Sequence, residues 1–241
     1  MMKKVLITPR SFPSAGEKAY KLLREQGFEI IDNKTGKSFT EDQMLEKCSE
    51  IDGVIVGIDP ITEKVIRNAK KLKAISKYGA GLDNIDLNIA SELGIKVTSA
   101  AGTNATSVAE LTIGFFFLLA RNILYSANSV KSSGWNRIRG IELTGKTVGI
   151  LGLGNIGKEV SRMAHGLGMD IIAYDPYINP QDESISKYSI KIMDLFDVIK
   201  NADFLTLHLP LTNETGRIIN IDTLKMMKPT AYLVNTARGE L

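Results

Sequence analysis

One cysteine in 241 residues, Cys48, leaves nothing from which to build an internal disulfide framework. Its neighbours Glu46, Lys47 and Glu50 do not make the electropositive setting of a reactive thiol, so Cys48 reads as an ordinary helix residue in a reducing compartment. Long apolar runs are also scarce. The most apolar stretch, 111–120, is about half of the roughly 20 residues that a bilayer-spanning helix needs. The opening Met1-Met2-Lys3-Lys4 leads into a brief apolar run that meets Pro9, which is too short for a secretory signal. A cytoplasmic chain with no membrane partner is the expectation. Charge of one sign is lacking as well: 30 Lys and Arg face 27 Asp and Glu, for a net charge of +3. The lysines are scattered, without a basic stripe interleaved with aromatics, so nucleic acid is not an expected partner, and no metal is expected. A hydrophobic content of 44% and a charged content of 24% describe an ordinary globular chain, long enough for one large domain or two modest ones.

Against these absences one stretch stands out. The apolar run Val148-Gly149-Ile150-Leu151 leads into Gly152-x-Gly154-x-x-Gly157 and then a helix over 158–167. A second apolar run, Ile171 to Tyr174, ends on Asp175. Strand, glycine turn, helix, strand and terminal acid in that order form the dinucleotide-binding fingerprint of a Rossmann-type fold. Gly152 permits the tight turn, Gly154 lets the main chain approach a pyrophosphate, and Gly157 lets helix and strand pack closely. The N–H groups of Asn155, Ile156 and the first helical turn would face the phosphates, with the positive end of the helix dipole behind them. Asp175 can accept hydrogen bonds from a ribose diol and would repel a 2′-phosphate. No arginine follows it in Asp175-Pro176-Tyr177, so NAD is preferred to NADP.

The first hundred residues alternate strand and helix. Strands are expected near 5–8, 28–31, 53–57, 72–76 and 95–98, with helices over 14–25, 41–49, 62–69 (N-capped by Thr62) and 85–93. Such alternation implies a parallel sheet wrapped by helices. One loop in this half carries possible chemistry. Lys77-Tyr78-Gly79-Ala80-Gly81-Leu82-Asp83-Asn84 leaves the carboxyl end of a strand, where ligands sit in open α/β sheets. Its glycines could present N–H groups to a carboxylate and Lys77 could add a positive charge; a glycine turn with an Asp/Asn helix cap fits as well. A hinge is placed at 100–104. The helix over 106–122 is apolar almost all round, with Phe115 to Leu119 in succession, and must be buried in a core or against a second subunit. Its Glu110 and Thr112 need polar partners. Beyond Asp175, strands near 188–192, 204–207 and 232–235 and helices at 193–200 and 224–227 complete a doubly wound sheet of order 3-2-1-4-5. Its loops at His208-Leu209-Pro210 and Thr236-Ala237-Arg238 border the cofactor crevice.

Five motifs in order, Gly79 to Asp86, Ala109-Glu110-Leu111-Thr112, Glu142 to Lys146 with the fingerprint and Asp175, His208-Leu209-Pro210, and Asn235 to Gly239, make the chain resemble the D-isomer-specific 2-hydroxyacid dehydrogenases, the family that includes D-3-phosphoglycerate dehydrogenase. The resemblance implies a smaller flavodoxin-like α/β substrate-binding lid domain over 1–100 and an NAD-binding Rossmann domain over 101–241, closing over a central cleft. It implies hydride transfer between NAD and a small D-2-hydroxy or 2-oxo acid, of 3-phosphoglycerate or hydroxypyruvate type, in a homodimer. Ala80 and Gly81, with Lys77, would bind the substrate. The implied cofactor set is Thr112, Gly152, Gly154, Asn155, Ile156, Gly157, Asp175, Leu209, Pro210, Thr236, Ala237 and Arg238. Arg238 matches the family's catalytic arginine, whose guanidinium can grip carboxylate and carbonyl oxygens together. The family's catalytic histidine and its orienting glutamate fall beyond the Arg238 motif, and the chain stops at Leu241. A C-terminally truncated enzyme, weak or inactive by itself, is therefore expected, with both domains incomplete. His165 reads as a surface or packing residue and His208 as the cofactor-loop histidine. Lys77 stands where the phosphoglycerate branch typically carries arginine, which leaves the acid open. The alternatives are a non-catalytic NAD-responsive protein like the corepressors on this fold, and a structural dimer remnant.

Overall fold

The computed structural model describes residues 2–241, which form two compact units meeting in sequence at Asn104 and Ala105. In the first, the chain runs β1 (Lys4–Ile7), α1 (Phe12–Ala15), α2 (Glu17–Glu25), β2 (Glu29–Asp32), α3 (Glu41–Cys48), β3 (Gly53–Val56), α4 (Glu63–Asn68), β4 (Ala74–Lys77), α5 (Leu87–Glu92) and β5 (Lys96–Ser99). All five strands are parallel, in the order β2-β1-β3-β4-β5, with Val5 opposite both Ile30 and Gly53. Buried apolar strand residues need cover on both faces. Leu6, Val54, Val56 and Ile75 pack with Met44, Cys48, Val65, Ile66 and Ala90, while Val5 and Ile7 pack with Phe12 and Tyr20. Burial pushes the Cys48 thiol up to about 12, and its core position agrees with an inert helix cysteine.

Two local expectations are corrected. The helix over 14–25 is broken at Gly16, where a Cβ would lie 2.7 Å from both the Phe12 ring and the Phe12 carbonyl. The chain bends there so that Phe12 can meet Tyr20 and Tyr78 edge-on, each at 5.4 Å. Thr62 does stand at the N-cap of α4, but its hydroxyl donates to Glu41 and caps nothing.

The second unit runs α6 (Ala105–Ala120), α7 (Ile123–Lys131), β6 (Thr147–Leu151), α8 (Asn155–Gly166), β7 (Asp170–Tyr174), α9 (Glu183–Lys187), β8 (Lys191–Ile192), α10 (Leu195–Asn201), β9 (Phe204–Leu207), α11 (Ile221–Met226) and β10 (Tyr232–Asn235). Its strands are parallel in the order β10-β9-β6-β7-β8. Counted from β6, that is the doubly wound 3-2-1-4-5 order. β9 and β6 run in register, Ile150 beside Thr206 and Leu151 beside Leu207, which sets the glycine turn beside the loop after β9. At Gly149 a Cβ would fall 2.7 Å from the Ala202 Cβ and 2.9 Å from Val198, so this glycine lets α10 lie close on the sheet.

The sequence does not announce α9, a five-residue helix rich in serine; Asp182 starts it by accepting the Ser184 N–H at 3.0 Å. α8 begins three residues earlier than the sequence suggests. α6 buries only one stripe, Ala105, Ala109, Thr112, Phe116 and Ala120, and leaves Leu111, Phe115 and Phe117 exposed. Among the described residues no single helix is long and apolar enough to cross a membrane.

Candidate functional site

The glycine turn has the shape its residues require. Gly152 has φ +99°, and a Cβ there would sit 2.7 Å from the His208 carbonyl oxygen. A Cβ on Gly157 would lie 2.0 Å from the Gly152 carbonyl oxygen, which no side chain could tolerate. Gly154 differs: nothing lies within 4 Å of the Cβ it lacks. It is the N-cap of α8 and provides no side-chain acceptor for the N–H groups of Asn155, Ile156 and the next residues. A helix of 12 residues thus presents uncapped donors and the positive end of its dipole toward an open face. Such a cradle suits a pyrophosphate.

Asp175, just beyond β7, is half-buried and bonded on both oxygens. One accepts the Leu153 N–H at 2.8 Å, within the glycine turn itself, and the other accepts the Tyr177 N–H at 2.9 Å. A carboxylate has about four acceptor positions, so two remain for a ribose diol. The acid is therefore tied to the turn that would hold the phosphates.

The loops after β9 and β10 leave the same edge of the sheet. The His208 N–H donates to the Leu151 carbonyl at 2.8 Å, and Leu209 is buried against the turn, while Pro210 is exposed and its carbonyl accepts the Thr215 hydroxyl at 2.6 Å. His208 is half-buried, with Nε2 3.1 Å from the Thr206 hydroxyl and a buried Nδ1 without a partner among the described residues. Burial pulls this imidazole down to about 4, so it is neutral at pH 7. His165, by contrast, is exposed on α8 near the Tyr188 ring. Thr112 is fully buried; its hydroxyl donates to the Val108 carbonyl and lies 3.1 Å from the Thr236 hydroxyl, bracing the loop after β10 from below. Glu110 is exposed. Asn235, which sequence reasoning passed over, clips that loop: its Oδ1 accepts the Ala237 N–H at 2.9 Å and its Nδ2 donates to the Arg238 carbonyl at 2.7 Å. An asparagine at a strand end is the signal that could have found it. Arg238 is half-buried, with Nη1 donating to the Ala237 carbonyl.

In the first unit, Gly79 has φ +139° and accepts the Ala100 N–H, while Ala80 and Gly81 are half-buried. No protein acceptor engages the Ala80 or Gly81 N–H among the described residues. Lys77 is not in the loop but ends β4, 8% exposed, and its ammonium donates to the Gly57 carbonyl and to Asn84 Oδ1, both at 2.6 Å. Asn84 Nδ2 reaches the Gly57 and Asp59 carbonyls, so Lys77 and Asn84 together anchor the far side of the Gly79–Gly81 loop to β3. The helix cap in this motif is Asp86, which accepts the Ile89 N–H. Among the described residues no cluster of metal-ligating side chains occurs.

With this geometry in view, the comparisons with known proteins are decisive. Residues 113–241 match the sequence model of the D-isomer specific 2-hydroxyacid dehydrogenase, NAD binding domain. The chain belongs to that family. It is 42% identical to a D-3-phosphoglycerate dehydrogenase of Methanocaldococcus jannaschii, over the whole of this chain and 45% of that one. It is 39% identical to a hydroxypyruvate reductase of Thermotoga maritima, over 90% of this chain and 72% of the relative. Among solved structures, the NAD+-bound 3-phosphoglycerate dehydrogenase of Entamoeba histolytica superimposes with a TM-score of 0.82 at 30% identity, over all of this chain and 73% of the other. The chain thus spans less than half of the length of the M. jannaschii relative. NAD is the family's cofactor, and the open Gly154 face, the uncapped α8 amides and Asp175 fit it.

Proposed function

We propose that the chain serves an NAD-dependent oxidoreductase that moves a hydride between NAD and the C2 carbon of a small D-2-hydroxy acid or its 2-oxo acid. The observation that carries this reading is the convergence, at the carboxyl edge of one parallel sheet, of the glycine turn, Asp175 and the clipped Thr236-Ala237-Arg238 loop. When bound, NAD supplies the hydride acceptor or donor. The α8 amides hold its pyrophosphate, Asp175 its ribose hydroxyls, and Leu209, Pro210, Thr236 and Ala237 border it. Arg238 grips the acid's carboxylate and carbonyl oxygens and withdraws electron density from the carbonyl carbon. In the first unit, Lys77 and the Ala80 and Gly81 amides, which meet no protein acceptor among the described residues, contribute to substrate binding in this reading.

A second copy of the chain is the proposed partner. Leu111 and Phe115, four residues apart on α6, form an exposed apolar face that a dimer would cover, with Phe117 exposed on the helix's other flank. The lone cysteine, free and buried, supports a cytoplasmic place. The test is a fluorescence titration with NADH and NADPH, followed by NADH oxidation in the presence of 2-oxo acids. NADH binding clearly tighter than NADPH, with oxidation that needs a 2-oxo acid, supports the reading; equal binding of NADPH overturns the role given to Asp175. NADH binding with no turnover of any 2-oxo acid, even in the longest natural form of the protein, overturns the enzymatic role.

A further inference from the structure

The first unit contains a hollow of about 520 Å³ at the carboxyl ends of β1, β3 and β4, within the size range of small-molecule sites. Thr8, Arg10, Ser11, Ser38, Asp59 and Tyr78 are among its walls. The floor is a bonded polar network. Asp59 is 2% exposed, and its two oxygens accept the Thr8 hydroxyl and, at 2.7 Å, the Phe39 N–H. The Thr8 hydroxyl accepts the Gly57 N–H at 3.0 Å. These bonds lock the ends of β1 and β3 to the segment that carries Ser38. Tyr78 follows Lys77 and precedes the Gly79–Gly81 loop, so hollow and loop share a wall.

The charge on the walls decides what the hollow suits. The Asp59 charge is turned inward onto two donors. Arg10 is the only cationic side chain in the lining among the described residues, and it is exposed. Its Nη1 donates to a neutral acceptor, the Gly36 carbonyl, at 3.0 Å. A guanidinium carries five N–H groups in a fixed fork, so this bond sets its direction and leaves most of the fork for a ligand. The Ser11 and Ser38 hydroxyls stand in the same lining.

We infer that this hollow receives the far end of the 2-hydroxy acid, and that Arg10 selects acids whose far end bears a second anionic group, a phosphate or a carboxylate, over acids ending in a hydroxyl or methyl group. The inference rests on the proposed dehydrogenase reading. A second anion would collect charge-assisted, bidentate bonds from the fork, whereas a hydroxyl would collect one neutral bond.

The test is calorimetric titration of the whole chain saturated with NADH, which cannot react with hydroxy acids, using 3-phosphoglycerate, D-malate, D-glycerate and D-lactate. At least one of the two doubly anionic acids is expected to bind roughly tenfold or more tightly than D-glycerate. Which of the two wins separates a phosphate site from a carboxylate site. Arg10→Met should bring that ratio close to one and Arg10→Lys should restore part of it, with a thermal melt confirming that these surface variants fold. Equal binding of all four acids, or an unchanged ratio in Arg10→Met, overturns the inference and leaves the dehydrogenase reading standing. Failure of all four to bind, with NADH binding intact, overturns both.

Discussion

The three glycines of the fingerprint look alike in sequence and do different physical work. Gly157 and Gly152 are packing positions, each facing a carbonyl oxygen where a methyl group would go, while Gly154 faces open space. Substitution should separate these roles. Gly157→Ala is expected to cost about 3 kcal/mol or more, because backbone must move to relieve the contact. Gly154→Ala should cost no more than about 1 kcal/mol, since the position is open but alanine is a poorer N-cap than glycine, yet weaken NADH binding at least about tenfold by filling the space proposed for the pyrophosphate. Paired urea melts and NADH titrations read both; a Gly154→Ala protein that binds NADH normally would remove the turn from the cofactor site. Lys77 shows what the sequence leaves out: it reads there as a charge near the substrate, and the folded contacts add that its ammonium donates to the Gly57 carbonyl and to Asn84.

Elements whose sequence pattern matched their surroundings were legible. β9 and β10 appear where alternating strands and loops placed them, and the 3-2-1-4-5 order follows from the parallel alternation together with the glycine turn at its first strand. What escaped was decided by contacts distant in sequence. The break at Gly16 depends on Phe12 meeting Tyr20 and Tyr78, and α9 is too short for any period to show. The apolar ring of α6 signalled burial all round, but the chain alone covers one stripe. The uncovered stripe carries a prediction. Phe115→Glu should convert a dimer at micromolar concentration to a monomer in sedimentation analysis while leaving the circular dichroism spectrum unchanged, and a parent protein already monomeric there would overturn the assigned partner.

For the molecule as a whole, the half-buried His208 contributes to how stability depends on acid. Its folded value of about 4 lies below the ordinary 6.5, so the unfolded chain binds the extra proton first. The stabilisation is complete above about pH 6.5 and is lost progressively as pH falls toward 4, by up to about 3 kcal/mol at the acid end. His208→Gln should flatten that part of the curve. The check is the urea midpoint from pH 7.5 to 4.5 for both proteins; parallel curves would mean that the histidine does not contribute.

The bond from the Leu153 N–H to Asp175 has a practical corollary for anyone redesigning coenzyme preference. The residue proposed to discriminate between the two dinucleotides is also a strut of the turn proposed to receive them. Replacing it to admit a 2′-phosphate removes a recognition group and loosens its scaffold in one step. A preference switch made at this position alone is therefore expected to weaken binding of either coenzyme, and a useful one must first give the Leu153 amide another acceptor.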